Sequence, residues 1–63
     1  MGTDQITIVF ESNFSQPDIL YNVKLVEIKR DTILVIGNGY KKLYFKDKIK
    51  NITADSTIKI FVK

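Results

Sequence analysis

The stretch YNVKLVEIKR, residues 21–30, decides the fold because its alternation of apolar and polar residues changes parity halfway along. The apolar positions of its two halves have opposite parity, namely Tyr21, Val23 and Leu25, then Val26 and Ile28. A one-residue phase slip inside a strand predicts a β-bulge, which bends the strand and increases its twist. The alternative is a strand that is buried on both faces. Because bent strands let a short sheet curl, the stretch predicts a small barrel.

Three runs outside this stretch alternate apolar and polar residues with period two, at residues 6–11, 42–46 and 58–63. Such alternation is typical of strands that have one buried face and one face in water. In the second run we expect Lys42, Tyr44 and Lys46 to share the wet face. No stretch keeps the apolar spacing of a helix over three turns, so the chain is predicted to be all-β.

Polar and glycine-containing segments separate the strands. Residues 37–39, Gly-Asn-Gly, are the strongest turn signal, since Gly and Asn tolerate positive φ. They should join a strand at residues 32–36 to one at residues 40–46 as a hairpin. Residues 30–31 form a second short connection, and residues 12–18, which include a proline, form a polar loop.

Residues 47–56 look too polar for a strand, and the spacing of Ile49 and Ile52 by three predicts one short 3-10 or helical turn that plugs a barrel end. The chain then contains five short strands with this turn before the last one. That order resembles the general plan of SH3-like and Sm-like small barrels. The resemblance implies one five-stranded barrel domain over residues 1–63, and it carries no function by itself.

The composition excludes several kinds of chemistry. The 63 residues include no Cys and no His, which removes disulfides, thiolate nucleophiles, imidazole acid–base catalysis and the usual zinc sites. The seven carboxylates are spread along the chain without a paired spacing, and no glycine-rich phosphate loop is present. We therefore predict a protein that is not an enzyme and that needs no metal or cofactor.

The apolar segments are short. The longest run, residues 33–36, is far below the roughly 20 residues that span a bilayer. We also expect no secretory signal, because no basic region followed by an apolar region opens the sequence. We expect a cytoplasmic protein without a membrane partner. A domain of this size hides only about 60% of its unfolded surface, and neither disulfides nor histidine-based metal sites can reinforce it. Unusually good packing or a homo-oligomer is therefore expected.

The charge is unevenly distributed. Residues 1–21 carry three carboxylates and no base, a net of −3, and residues 22–63 carry ten bases against four acids, a net of +6. Lysines attract phosphates, while a tyrosine ring between two ammonium groups offers a surface on which an unpaired base can stack. The predicted nucleic-acid site therefore comprises Lys41, Lys42, Tyr44, Lys46, Lys48 and Lys50.

Two other interpretations of the lysines stay open. They fit an ordinary solvated sheet face, where Lys also protects edge strands from aggregation, or a contact with an acidic protein partner. Arg30 is the single arginine, and base-specific recognition favours Arg, so DNA or RNA would be bound by loose electrostatics. A small chain rich in Ile, Lys and Asn and free of Cys also suggests a phage or plasmid accessory protein.

The alternative function is a protein-interaction or oligomerisation module. Phe14 lies within the polar loop, either as an exposed binding anchor or, the favoured interpretation, as a lid folded over a barrel end. Loop residues 12–21, with Phe14 and Tyr21, are the predicted protein-contact site. If the barrel closes incompletely, residues 6–11 or 57–62 would form an unpaired edge that a second chain could extend.

Overall fold

The computed structural model describes residues 4–55 and 57–63, and this part of the chain confirms the predicted all-β class. The strands are β1 (Ile6–Phe10), β2 (Asp18–Leu20), β3 (Val23–Ile28), β4 (Thr32–Gly37), β5 (Tyr40–Phe45), β6 (Ile49–Ala54) and β7 (Lys59–Val62). A 3-10 turn, Lys46–Lys48, links β5 to β6. Within these residues, no helix has the length and apolar character needed to cross a membrane.

The strands form two sheets, one of three strands in the order β2-β1-β6 and one of four strands in the order β5-β4-β3-β7. The β3–β7 pair is parallel and the other pairs are antiparallel. The predicted closed barrel of five strands is therefore not found. Its predicted second strand is divided between the two sheets as β2 and β3, and residues 47–56 supply a further strand, β6.

The core lies between the two sheets, and among the described residues it contains only apolar side chains and one tyrosine. Its buried members are Ile6, Ile8, Leu20, Val23, Val26, Ile33, Val35, Tyr44 and Ile58. Ile8 of one sheet and Val35 of the other are both completely buried. Burial of each such aliphatic side chain contributes about 1.5–3 kcal/mol, so these contacts hold the sheets together.

Asn22 marks the point where one segment passes between the sheets. Its φ of +57° lies in the left-handed region, which Asn enters more readily than most residues that have a side chain. The Asn22 carbonyl accepts a hydrogen bond of 3.0 Å from the N–H of Asn38, and the Val23 N–H donates to the Asp4 carbonyl at 2.9 Å. The chain thus leaves β1 after β2 and joins β4 as β3.

The phase slip predicted for residues 21–30 is confirmed. The pairing of β3 with β4 shifts register between Val23 and Leu25, which leaves Lys24 as the extra residue. Val23 and Val26 are buried, whereas Leu25 lies on the opposite side of the sheet. The parity change therefore comes earlier than the sequence places it, since Leu25 does not continue the phase of Val23.

The predicted hairpin is also confirmed, with a two-residue turn at Asn38 and Gly39 between β4 and β5. Gly39 has a φ of +86°, which glycine adopts without a steric penalty. Gly37, opposite Tyr40, has another role: a Cβ atom there would overlap the ring of Tyr40. The Tyr40 hydroxyl donates to the carbonyl of Tyr21, so the ring bridges from the hairpin to the β2–β3 connection.

The interpretation of residues 47–56 as non-strand is wrong, because Ile49–Ala54 forms β6 against β1. Ile52 lies opposite Ile8 and Ile49 opposite Phe10, with a register shift between Val9 and Phe10. That irregularity lets two isoleucines spaced by three pack against the core from a strand. The 3-10 turn exists, but it precedes β6 rather than the last strand, and Ser56 lies outside the described residues.

Candidate functional site

Tyr44 lies in the core, not on the wet face predicted for it. Its side chain is 9% exposed, and its ring centroid lies 6.0 Å from that of Phe10. Its hydroxyl donates a 3.0 Å hydrogen bond to Oδ2 of Asp18 on β2, which connects the two sheets. Desolvation, followed by the bond to the Asp18 carboxylate, raises the pKa of Tyr44 to about 12. A ring held in this way has no free face for a base, so the predicted stacking role is wrong.

The pairing of β5 with β4 explains this reversal. Tyr44 lies directly opposite Ile33, which is buried, and opposite residues of an antiparallel pair project from the same side of a sheet. Leu43 and Phe45 therefore face away from the core and are 56% and 58% exposed. Both parities of β5 carry large apolar or aromatic side chains, so alternation alone does not fix which one is buried.

The lysines of the predicted nucleic-acid site do not share one surface. Lys41 and Lys42 lie on opposite parities of β5. Lys46 and Lys48 belong to the 3-10 turn, and Lys50 is on β6 in the other sheet. The lysines are therefore distributed over both sheets and the turn between them. Nucleic-acid binding stays a prediction, without the lysine and tyrosine face on which it was based.

We call the side of the four-stranded sheet that turns away from the core the outer face. The strand register places one row of side chains across it, from β5 to β7, formed by Lys41, Ile36, Leu25 and Lys59. The next row is formed by Leu43, Leu34, Glu27 and Phe61. Phe45 lies beyond Leu43 on β5. Most side chains of this face are apolar.

The exposure of the outer face is greatest on its two edge strands. Leu43 and Phe45 on β5 and Phe61 on β7 are each about half exposed, whereas Leu34 and Ile36 in the middle are partly covered. Exposed apolar side chains that are contiguous, rather than scattered, mark interaction surfaces. The outer face is therefore the strongest candidate site among the described residues.

Within residues 4–55 and 57–63, the edge strands also have backbone groups that no neighbouring strand pairs with. The Lys46 N–H donates to the Asp31 carbonyl at 3.0 Å, just beyond the end of β5. In β5, every second residue counted back from Lys46 therefore directs its backbone N–H and C=O towards β4. By the alternation of an antiparallel ladder, the backbone groups of Lys41, Leu43 and Phe45 point to the free edge of β5. Outward side chains and unpaired backbone groups thus belong to the same three residues.

The edges predicted from the sequence are partly correct. β1 (residues 6–10) is paired on both sides, by β2 and β6, so the prediction of an edge at residues 6–11 is wrong. β7, within predicted residues 57–62, is an edge strand and all four of its residues are exposed. β5 is an edge that the sequence analysis did not identify, because β5 was predicted to be an inner strand of a barrel.

Two shallow clefts lie at the end of the molecule near the 3-10 turn. The first, of about 480 Å³, is lined by Arg30, Asp31, Phe45, Lys46 and Asp47. The second, of about 390 Å³, is lined by Phe10, Glu11, Ser12, Ser15, Asp47 and Lys48. Cations do not outnumber carboxylates in either cleft. Neither cleft therefore forms a concentrated anion site, although the exposed ring of Phe45 lies beside two cations in the first.

The predicted protein-contact residues are both accessible. Phe14 is 99% exposed, so the favoured interpretation of this ring as a lid over a barrel end is wrong. Its backbone N–H donates to Oγ of Ser12 at 3.2 Å, in a local turn of the loop. Tyr21 is 53% exposed and lies where the chain passes between the sheets. Their role as a protein-contact site stays a prediction.

Comparison with known proteins finds no match to this chain among protein-family models, curated proteins or solved structures. Residues 4–55 and 57–63 also contain no group of three or more acidic, His or Cys side chains that could hold a metal ion. The outer face, the strand edges and the distribution of charge are the features of this chain that bear on its function.

One sequence signal could have identified the outer face. Residues 33–36, Ile-Leu-Val-Ile, are apolar on both parities, and such strands are typical of sheets that are covered on both faces. In the fold, Ile33 and Val35 face the core, and Leu34 and Ile36 face outward. The apolar residues at the second parity therefore predict that this outward side is also covered, and the described residues of the single chain do not cover it.

Proposed function

We propose that this chain is a non-catalytic protein-interaction module whose contact surface is the outer face of the four-stranded sheet. The observation that carries the proposal is the exposure of Leu43, Phe45 and Phe61, each about half exposed on a sheet whose other face forms the core. Their transfer from water would contribute about 25 cal/mol per Å² of apolar area that a partner covers.

The free edge of β5 gives this surface a second kind of contact. A partner strand that extends the sheet would satisfy the backbone groups of Lys41, Leu43 and Phe45, as in other cases of β-augmentation. Side chains on the outer face would then supply specificity beside the new strand. Apolar burial and backbone pairing at one place favour a protein ligand over a small molecule, which needs a concave pocket.

Site-directed photo-crosslinking in cells tests this proposal. A benzophenone amino acid placed at Phe45 should give a covalent adduct with a protein, identified by mass spectrometry. The same group at Thr53, which is exposed on the other sheet, is the matched control and should give none. Equal labelling at both positions, or no protein adduct at Phe45, would contradict a contact surface on the outer face.

Nucleic-acid binding is the second candidate. The net charge of +3 supports it, together with the exposed ring of Phe45 beside Arg30 and Lys46. If Phe45 stacks on a base, Phe45→Ala should weaken single-strand binding by roughly 1–3 kcal/mol. Fluorescence anisotropy with labelled oligonucleotides, over a series of salt concentrations, measures this. No binding of single or double strands at low salt would remove this candidate.

We also infer that the two sheets are halves of an SH3-like barrel that is left open. The order of strands supports this: β6, β1 and β2 are neighbours, β2 continues into β3, and β3, β4 and β5 are neighbours. The 3-10 turn then returns the chain to β6, and β7 is an addition to that plan. A cytoplasmic location and a phage or plasmid origin stay predictions.

A further inference from the structure

We infer that the partner of β5 is β5 of a second copy of this chain, paired antiparallel about a two-fold axis through Leu43. The pairing would join two four-stranded sheets into one of eight strands, with both outer faces on the same side. This inference rests on the proposed function and names the occupant of its edge.

The backbone of β5 is suited to pairing with itself. β5 has six residues, contains no proline, and pairs with β4 in continuous register from Tyr40 to Phe45. Edge strands that avoid pairing usually carry a proline, a bulge, a very short length or lysines. Of these β5 has only lysines, Lys41 and Lys42, and neither lies opposite another lysine in the register described next. A two-fold axis at Leu43 places the free backbone groups of Lys41, Leu43 and Phe45 opposite those of Phe45, Leu43 and Lys41 in the second copy.

The side chains of β5 are complementary in this register. On the outer face Lys41 lies opposite Phe45 of the second copy, and Leu43 lies opposite Leu43. On the other side Lys42 lies opposite Tyr44. The Lys41 ammonium group therefore has the exposed ring of Phe45 as its cross-strand neighbour, and pairs of a cation with a ring, like apolar pairs, stabilise adjacent strands. Lys42 gains no such contact, because the ring of Tyr44 is buried in the core.

Neighbouring registers are less favourable. An axis at Lys42 places that residue opposite itself, and an axis at Tyr44 places Lys42 opposite Lys46. Like charges directly opposite each other destabilise a strand pair. An axis at either end of the strand, Lys41 or Phe45, leaves much of β5 unpaired or pairs it with the 3-10 turn. The axis at Leu43 overlaps five of the six residues of β5, residues 41–45, with no like-charge pair directly opposite.

The positive charge of the chain opposes this dimer at Lys42 rather than at Lys41. Lys41 of one copy is four residues along the strand from the level of Lys41 in the other, roughly 13 Å at about 3.3 Å per residue, which exceeds the Debye length of about 8 Å at physiological ionic strength. Lys42 is only two residues from the level of Lys42 in the other copy, roughly 7 Å, so these two ammonium groups repel each other. Salt screens this repulsion and should strengthen the association, whereas it weakens nucleic-acid binding.

The other three edge strands fit a second copy less well. β2 has three residues and β7 has four, so each offers fewer backbone groups than β5. β6 is as long as β5, but its exposed residues, Lys50, Asn51 and Thr53, are polar, and its register against β1 is irregular. β5 alone among the described edges combines length, continuous register and exposed apolar side chains.

Disulfide trapping tests the dimer and its register, since the chain has no cysteine of its own. In a hydrogen-bonded antiparallel pair the Cα atoms are about 5.5 Å apart, within the range that a disulfide spans. Leu43→Cys should therefore form a covalent dimer of twice 7.3 kDa under mild oxidation. Lys41→Cys, in the same strand but far from its own counterpart, is the matched control and should stay monomeric.

A second variant tests the same contact without cysteine chemistry. Leu43→Lys places two ammonium groups opposite each other at the axis, and it should raise the dimer dissociation constant about tenfold or more in sedimentation equilibrium. Thr53→Lys is the control with the same added charge, and it should leave the constant unchanged. Far-UV circular dichroism checks that both variants keep the β-fold.

Three results would overturn this inference. They are a wild-type chain that stays monomeric at all concentrations reached, equal trapping of Leu43→Cys and Lys41→Cys, and equal dissociation constants for Leu43→Lys and Thr53→Lys. If a different protein is crosslinked at Phe45 while Leu43→Cys does not dimerise, the inference fails and the proposed function survives. If neither experiment yields an adduct, both fail.

Discussion

The two sheets share one core but differ on the sides that face away from it. In the three-stranded sheet the outward positions are Thr7, Asn51 and Thr53, which are polar, and Val9 and Ile19, which are apolar. In the four-stranded sheet most outward side chains are apolar, and the row at its centre begins with two leucines. The first sheet therefore has a mixed outer side with a polar majority, and the second has mostly apolar side chains on both faces.

This difference supports the proposed role of the outer face as a contact surface. A strand such as β4, which carries Ile33 and Val35 inward and Leu34 and Ile36 outward, gains full stabilisation only when both sides are covered. The core stabilises the fold from one side of this strand. Under the proposed function, a partner would cover the other side and pair with the β5 edge.

The largest effect on stability is expected in the core, which the two sheets share. Ile8→Ala removes a completely buried side chain and should lower the free energy of unfolding by about 2–5 kcal/mol, because a cavity remains between the sheets. Leu43→Ala, on the outer face, should change it by no more than about 0.5 kcal/mol in the monomer. Urea unfolding of dilute samples measures both. Equal losses would mean that Leu43 belongs to the core.

A smaller loss of stability is expected from a substitution at Gly37, because the Tyr40 ring packs directly over this glycine. Gly37→Ala should cost about 1–3 kcal/mol, because the new methyl group overlaps that ring and displaces the Tyr40 hydroxyl from the Tyr21 carbonyl. A double-mutant cycle with Tyr40→Ala checks the cause. Additive effects in that cycle would show that the ring is not responsible.

Tyr44→Phe removes the side-chain hydrogen bond that joins the two sheets. The free energy of unfolding should fall by roughly 1–2 kcal/mol, since the acceptor is the carboxylate of Asp18 and the bond is only partly buried. Thermal or urea unfolding at neutral pH measures it. Asp18→Asn keeps an acceptor oxygen and should cost less, and a larger loss for Asp18→Asn would contradict the proposed bond.

The same contact predicts a pH dependence. The pKa of Tyr44 is raised from about 10 in the unfolded chain to about 12 in the folded one, so the folded state keeps the phenol proton up to a higher pH. The stabilisation is complete below pH 10 and is lost as the pH rises towards 12. The difference in stability between wild type and Tyr44→Phe should therefore shrink across this window. A constant difference would contradict it.

The smallest effect is expected on the polar side of the three-stranded sheet. Thr53→Lys adds a charge at an exposed outward position of β6 and should change the free energy of unfolding by no more than about 0.5 kcal/mol. It should also leave the oligomeric state as it is. A clear change in either quantity would show that this side also contacts another chain.

Much of the fold could be predicted because its signals are local. The turn at Asn38 and Gly39 depends on which residues tolerate positive φ, and the slip near Lys24 appears directly as a change of parity. β6 was missed because its spacing of Ile49 and Ile52 imitates a helical turn. The register shift that produces it depends on β1, which is distant in the sequence.

The candidate site was less predictable, because it depends on which parity of β5 faces the core. Lys42, Tyr44 and Lys46 form as regular a polar stripe as any in the chain, and Leu43 and Phe45 as regular an apolar one. The hydroxyl of Tyr44 donates a hydrogen bond to Asp18, which is 26 residues away in the sequence. Because this bond satisfies the hydroxyl, the tyrosine can be buried in the core, and Leu43 and Phe45 then face solvent.

By itself, the sequence determined the all-β class, the bend after Tyr21, the hairpin turn and the exclusion of histidine and cysteine chemistry, because each follows from the intrinsic properties of neighbouring residues. The tertiary structure decided the division into two sheets, the burial of Tyr44, and the exposure of Leu43, Phe45 and the β5 edge. These features depend on pairings between distant strands, and the side of a strand that becomes the core is chosen only when those strands meet.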